Sequence, residues 1–279
     1  MKYLISIIFA SISLSVDVMS VVLPSSAKDL SSSGYGIASD GAYSINPALL
    51  SDNKKTYFEF SDNEWLFDVA GSYLSYTDKD IRLSGHYWQV DDIEMYDNNP
   101  SESPVSTFGS KTLFLNVAQG FKINNNNIGY SLKYTYMKLL EYEDKGFVLD
   151  FGYQRQFGES VSVGFMIKNL NSGFKNENQI PVTSIIGTSQ KIKSFPITLN
   201  FDLFYNFSDD MLGSYQGIVF SSYLGNLTAG YRYNYNLEEL DTSLGISLLW
   251  NNLEFSMSYL IKDNKDIGNP IFYQLSYYL

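Results

Sequence analysis

Two stretches at the end of the chain, LEFSMSYLI at residues 253–261 and IFYQLSYYL at residues 271–279, alternate apolar and polar side chains almost without interruption. Leu253, Phe255, Met257, Tyr259 and Ile261 share one face, with Glu254, Ser256 and Ser258 between them. Ile271, Tyr273, Leu275, Tyr277 and Leu279 repeat the pattern against Gln274 and Ser276. Such a period of two is a strand whose faces meet different solvents. About ten residues tilted at roughly 45° also cross a bilayer. An apolar residue closing such a strand is the usual end of a bacterial outer-membrane barrel. Tyr273, Leu275, Tyr277 and Leu279 are therefore expected to form an assembly strand.

The same dyad recurs upstream. Ile128, Tyr130, Leu132, Tyr134 and Tyr136 oppose Gly129, Ser131, Lys133 and Thr135, and Phe147, Leu149, Phe151 and Tyr153 oppose Asp150, Gly152 and Gln154. Charges fall on the small-residue face, as Asp202, Lys168, Arg232 and Glu254 also do. Arg155 departs from the rule at a strand end, where it can snorkel. From Lys55 onward Asn, Asp, Gly and Ser clusters divide the chain into about fourteen such segments. Short connections near 77–79, 124–126, 158–159, 191–194, 225 and 251 alternate with longer ones at 91–110, 139–144, 171–180, 208–213, 237–240 and 263–268. That alternation places tight turns at one rim and long loops at the other, as in barrels with short periplasmic turns. An even strand count then returns both termini to the periplasmic side. In lipid an open sheet edge leaves backbone groups unpaired, so the first and last strands must meet. The expected fold is all-β, a transmembrane antiparallel β-barrel of about fourteen strands.

Composition narrows the function. Aromatics make up 16% of the chain, with 23 Tyr and 19 Phe, a supply suited to girdles at two membrane interfaces. Cysteine is absent, so disulfides and thiolate metal sites are excluded. A net charge of −11 argues against nucleic acid, whose binding rests on Lys and Arg neutralising phosphates. Lys2 followed by an apolar run to Leu14 reads as a secretory signal, too short and Ser-rich for a spanning helix. Plausible cleavage sites follow Ser15, Ser20 and Ala27.

Before the first strand come Leu23-Pro-Ser-Ser-Ala-Lys28, Gly34-Tyr-Gly-Ile-Ala-Ser-Asp-Gly-Ala42 and Ile45-Asn-Pro-Ala-Leu-Leu50. They resemble the N-terminal signature of the PorV/PorQ family, most specifically at Asn46-Pro47-Ala48. That family is a branch of outer-membrane barrels similar to the FadL fatty-acid transporters. The stretches 67–76, 168–173, 180–182, 187–196 and 230–234 also look like its PorQ-type segments. The low basic content and the acidic loop 91–110 depart from it. The resemblance implies a signal peptide at 1–20, a plug at 21–54 tucked into the lumen, and a barrel at 55–279. It marks Pro24, Ala27, Asp40, Asn46, Pro47 and Ala48 as the plug motif. It implies a non-enzymatic component of type IX protein secretion, partnered by outer-membrane lipid and by other secretion or surface proteins. The alternative is a FadL-like transporter of hydrophobic small molecules. A transporter needs an apolar pocket beside the plug and a gap in the wall, whereas a secretion partner needs a sealed barrel and an ordered loop platform.

Few residues could carry other chemistry. Lys133 and Asp150 lie on neighbouring strands at similar height, and we expect them to pair in the lumen. Asn46 is expected to cap or kink the plug. His86 is the only histidine, so metal clusters and His-based triads lack raw material. Asp91, Asp92, Glu94, Asp97 and Glu102 lack EF-hand spacing and read as a solvated loop. Gly34, Gly36 and Gly41 lack the strand and spacing of a dinucleotide loop. No catalytic residue, metal or cofactor is expected.

Overall fold

The computed structural model describes residues 23–95, 104–174, 180–263 and 268–279. The expected signal peptide, and Asp97 and Glu102, lie outside them. Fourteen strands form a closed antiparallel barrel in which each pairs with its sequence neighbours. They are β1 (Thr56–Glu64), β2 (Ala70–Asp78), β3 (Ile81–Met95), β4 (Ser106–Ile123), β5 (Asn126–Leu139), β6 (Tyr142–Phe157) and β7 (Val161–Ser172). The circuit continues through β8 (Thr183–Ile192), β9 (Ile197–Asn206), β10 (Met211–Ser222), β11 (Gly225–Asn234), β12 (Glu239–Trp250), β13 (Leu253–Ile261) and β14 (Ile271–Tyr278). Closure comes from β1 and β14, paired from Tyr57↔Tyr278 to Glu64↔Ile271.

The dyad fixes which face is which. On β1, Phe58 and Phe60 face outward and stay exposed, while Tyr57, Glu59, Ser61 and Asn63 are buried inside. On β14, Tyr273, Leu275 and Tyr277 point outward, whereas Phe272, Gln274 and Ser276 are buried in the lumen. Arg155 faces out near the end of β6, its guanidinium 5.1 Å from the Phe157 ring centre. The wall is uneven in height: β4 has 18 residues and β14 only 8.

One expected connection becomes a tight turn. Residues 139–144, read as a longer loop, form a tight turn at Leu140 and Glu141, with Met137↔Asp144 still paired. The ladder continues on backbone hydrogen bonds after the apolar/polar alternation of the sequence has faded, with Met137, Leu139 and Asp144 still buried on the inner face. Asp62 and Asn63 lie within β1, paired with Ser72 and Gly71, and the β1–β2 connection falls at 65–69. The register shifts between Val90 and Ile93 on β3 and between Leu149 and Phe151 on β6.

Lys54 and Lys55 are exposed at the tight-turn rim of the barrel, and residues 23–53 run inside it. They contain a short helix, α1 (Ala27–Ser31), capped by Ser26, and a 3-10 helix at Pro47–Asp52. Bare wall lets this segment approach closely: a Cβ on Gly129 would come within 2.4 Å of Ala48 N, and one on Gly152 within 2.0 Å of Asn46 Oδ1. Two apolar clusters fill the space between plug and wall. One gathers Ala27 and Leu30 with Trp88, Phe114, Leu260 and Phe272; the other joins Ile37 and Ile45 to Met166, Ile185 and Phe204.

Candidate functional site

The plug is held by polar contacts to the wall at several heights. Lys28 Nζ lies 3.0 Å from Glu254 Oε2 on β13 and 3.4 Å from Glu59 Oε1 on β1, and it is 3.4 Å from the Tyr278 hydroxyl on β14. Arg82 of β3 pairs with Glu59 from the other side, and Ser75 Oγ donates to the same carboxylate at 3.0 Å. One lysine of the plug is thus bonded across the β13–β14–β1 seam. Further along, Asp202 of β9 accepts the backbone N–H groups of Gly36 and Ile37 at 2.6 and 3.1 Å.

Asn46 Oδ1 accepts from Ala48 N at 3.0 Å, capping the 3-10 helix, and its Nδ2 donates to Ile37 O at 2.8 Å. Pro47 supplies the fixed φ of the first turn and Ala48 is fully buried. Pro24 borders the cavity above the plug, Ala27 packs in the core cluster around Trp88, and Asp40 pairs with Lys191. The motif residues therefore act at separate points along the plug. Lys133 Nζ is 2.6 Å from Asp150 Oδ2, and Asp150 also accepts from Ser131 Oγ at 2.9 Å and Asn169 N at 2.8 Å. Tyr273, Leu275, Tyr277 and Leu279 face outward, away from the lumen. His86 is buried between Tyr73, Trp88 and Phe114, with Asn63 Nδ2 3.4 Å from its Nε2. Among the described residues no His, Cys, Asp and Glu group could hold a metal ion.

Two cavities flank the plug. The one toward the longer connections has a volume of about 590 Å³ and is bordered by Tyr35, Trp65, Ile185, Phe204, Met211 and Leu260, together with Lys133, Asp150 and Arg232. The one toward the tight turns, about 510 Å³, is bordered by Lys54, Asp40, Asn226, Leu249, Glu254 and Tyr278. Asp29, Tyr35, Tyr43, Ser44, Ile45 and Arg82 border both, so they form the septum between them. Ser44 donates to Asp29 within that septum. Burial pushes the Asp29 carboxyl up from its usual range, against the hydrogen bond from Ser44, which lowers it. Tyr35 stacks on Phe204 with ring centres 4.6 Å apart, giving the larger cavity an aromatic wall.

Lys28, Tyr35, Arg82 and Asp202 carry this site; Lys28 and Tyr35 fall within the N-terminal signature stretches without being singled out by them, and Arg82 and Asp202 lie outside any motif. A signal was present in the strands. Trp88, Phe114, Met166, Ile185, Phe204 and Phe272 are large apolar residues on the phase otherwise occupied by small and polar ones. In a water-filled lumen they would be misplaced. They mark where the plug and cavity lie.

No family model and no curated protein matches the chain. Solved structures do. The toluene transporter TodX of Pseudomonas putida superposes with a TM-score of 0.66 at 13% identity, covering 92% of this chain and 98% of that one. The CymD monoaromatic hydrocarbon channel gives 0.63 at 12% identity, with 91% and 96% covered. The toluene transporter TbuX of Ralstonia pickettii gives 0.60 at 11% identity, with 92% and 97% covered. None of these comparisons supports the PorV/PorQ resemblance. At such identities the likeness is one of architecture: the chain has the fold of the outer-membrane barrels that include the toluene transporters.

Proposed function

We propose that the protein is a non-enzymatic channel of the bacterial outer membrane that passes a small hydrophobic molecule, with its tight-turn rim toward the periplasm. The carrying observation is the 590 Å³ cavity directly above the plug, where an apolar wall of Tyr35, Phe204, Ile185, Met211 and Trp65 faces charged residues that include Arg82, Lys133, Asp150, Lys168, Arg232 and Asp241. Ligand pockets commonly occupy roughly 300–1,000 Å³ and are mostly apolar with a few convergent polar groups. The part of this aromatic and aliphatic surface left open to the cavity suits an apolar solute. The hydrocarbon channels that share the fold support the same reading. Of the two features named for a transporter, the pocket is present and, among the described residues, a gap in the wall is not, since the strands pair all the way round as in the sealed barrel of a secretion partner; the pocket is what favours the channel. Strand pairing runs round the whole wall, so the favoured path is axial, through the septum of Asp29, Tyr35, Tyr43 and Ser44.

The test uses toluene as the probe and Trp65, at the cavity edge, as the reporter. The purified full-length protein should show saturable quenching of tryptophan fluorescence, weakened at least fivefold by Phe204→Ala. Proteoliposomes should take up labelled toluene faster than empty vesicles. Absence of both, with surface or secreted proteins co-purifying from native membranes, would sink the channel reading in favour of secretion.

A further inference from the structure

The tight-turn rim carries a second, separate recess. It has a volume of about 590 Å³ and is bordered by Lys54, Lys79 and Lys122, with Asp80, Phe121 and Ile123 beside them. Three different elements bring these lysines together. Asn53, at the end of the 3-10 helix, donates from Nδ2 to Lys55 O at 2.9 Å and to Lys79 O at 2.8 Å. Those bonds fix the chain leaving the plug against the β2–β3 turn. The same turn is tied to β4 by Gly120 N donating to Asp80 O at 2.9 Å, and β4 carries Lys122 two residues on.

The charges in the recess are unevenly satisfied. Lys122 pairs with Asp52 at 2.5 Å, and elsewhere on this rim Lys191 pairs with Asp40 and Lys193 with Glu159. Lys54 and Lys79 are exposed and have no ion pair among the described residues. The three lysines at the recess outnumber the carboxylates there, Asp80 and the Asp52 that pairs with Lys122. Beside them Phe121 and Ile123 are exposed on the lipid-facing phase of β4, at 41% and 56%. The recess therefore meets the bilayer at headgroup level, with cations on the aqueous side and an apolar shelf on the hydrocarbon side.

We infer that this recess binds the phosphodiester headgroup of a glycerophospholipid of the adjacent leaflet. Lys54 and Lys79 hold the phosphate, Lys122 adds to the field, and Phe121 and Ile123 receive the first methylenes of an acyl chain. A free anion would gain the charges and leave the shelf unused, whereas a neutral lipid would use the shelf and leave the charges unmet. The inference rests on the barrel spanning a membrane and is independent of what the lumen carries.

Native mass spectrometry of the full chain tests it, with dioleoylphosphatidylglycerol as probe and dioleoylglycerol and inorganic phosphate as comparators. The wild type should retain the phospholipid in preference to dioleoylglycerol. The K54Q/K79Q variant should lose retention by about tenfold or more, at roughly 1 kcal/mol per surface lysine, and K54R/K79R should keep it. Unchanged heat-modifiable gel mobility checks that the variant barrels are folded. Equal retention by the Gln variant, equal retention of dioleoylglycerol, or displacement of the lipid by equimolar phosphate would each overturn the assignment. None of these outcomes touches toluene binding in the lumen.

Discussion

Asp202 Oδ2 accepts the Gly36 N–H at 2.6 Å, joining a wall strand to a plug turn 166 residues earlier in the chain. The carboxylate is wholly buried, and it holds the neighbouring Ile37 N–H as well. Hydrogen bonds to a charged group contribute about 1.5–3 kcal/mol each, and a buried N–H left without an acceptor carries its full desolvation cost. Gly36 has φ +88°, a backbone state that suits glycine. The turn is thus shaped by its own sequence and located by a residue from the other half of the molecule.

Replacing Asp202 with Ala should loosen the plug while leaving the wall ladders intact. Single-channel conductance in planar bilayers, or liposome swelling rate, should rise severalfold. The temperature at which heat-modifiable mobility is lost should move by much less. Asp202→Asn, which keeps one acceptor oxygen, should fall between.

Lys28 is the next anchor. Lys28→Met would leave the buried carboxylates of Glu59 and Glu254 without their shared cation. Breaking a fully buried pair costs about 3–5 kcal/mol. The Lys28 side chain keeps 28% of its surface exposed, which reduces the expected loss to about 2 kcal/mol. Urea unfolding followed by tryptophan fluorescence should register that drop, and Lys28→Arg should recover most of it.

The glycine contacts offer a paired test. A methyl at Gly129 would come within 2.4 Å of Ala48 N and Pro47 C, backbone atoms that cannot swing aside, while one at Gly85 finds nothing nearer than 3.7 Å. Gly129→Ala should cost roughly 1–3 kcal/mol, as overpacking does, and should shift the plug and weaken toluene binding. Gly85→Ala should leave both unfolding and binding unchanged.

Asp29 gives the pH dependence a sign. Burial raises its carboxyl above the value it has in the unfolded chain, so the folded state holds the proton more tightly. Stability should therefore fall as pH rises from the ordinary carboxylate range through the raised value, and level off above it. Asp29→Asn should lack that slope. Its advantage over the wild type should grow with pH across this window and then stay constant, as read from unfolding midpoints at a series of pH values.

Much of the wall was legible in the sequence because each strand meets lipid on one face and the lumen on the other. That contrast forces the period of two, and it places Lys133 and Asp150 on the inner phase of adjoining strands. The turn at Leu140 and Glu141 was not legible, because beyond the apolar band the ladder is held by backbone bonds that any residue can make. Asn46 was readable as a cap because its partner, Ala48, is two residues away.

The sequence by itself determined the barrel and its inside and outside, since both follow from local alternation, while the tight turn at Leu140 and Glu141 breaks the expected segregation of tight turns to one rim. Only the tertiary structure decided the path of the plug, the two cavities it separates and the lysines gathered beside Asn53. Lys28 meets Glu254 across 226 residues and Gly36 meets Asp202 across 166. No local rule links positions so distant; barrel closure brings them together, and the need to satisfy buried charge and backbone then holds the plug in place.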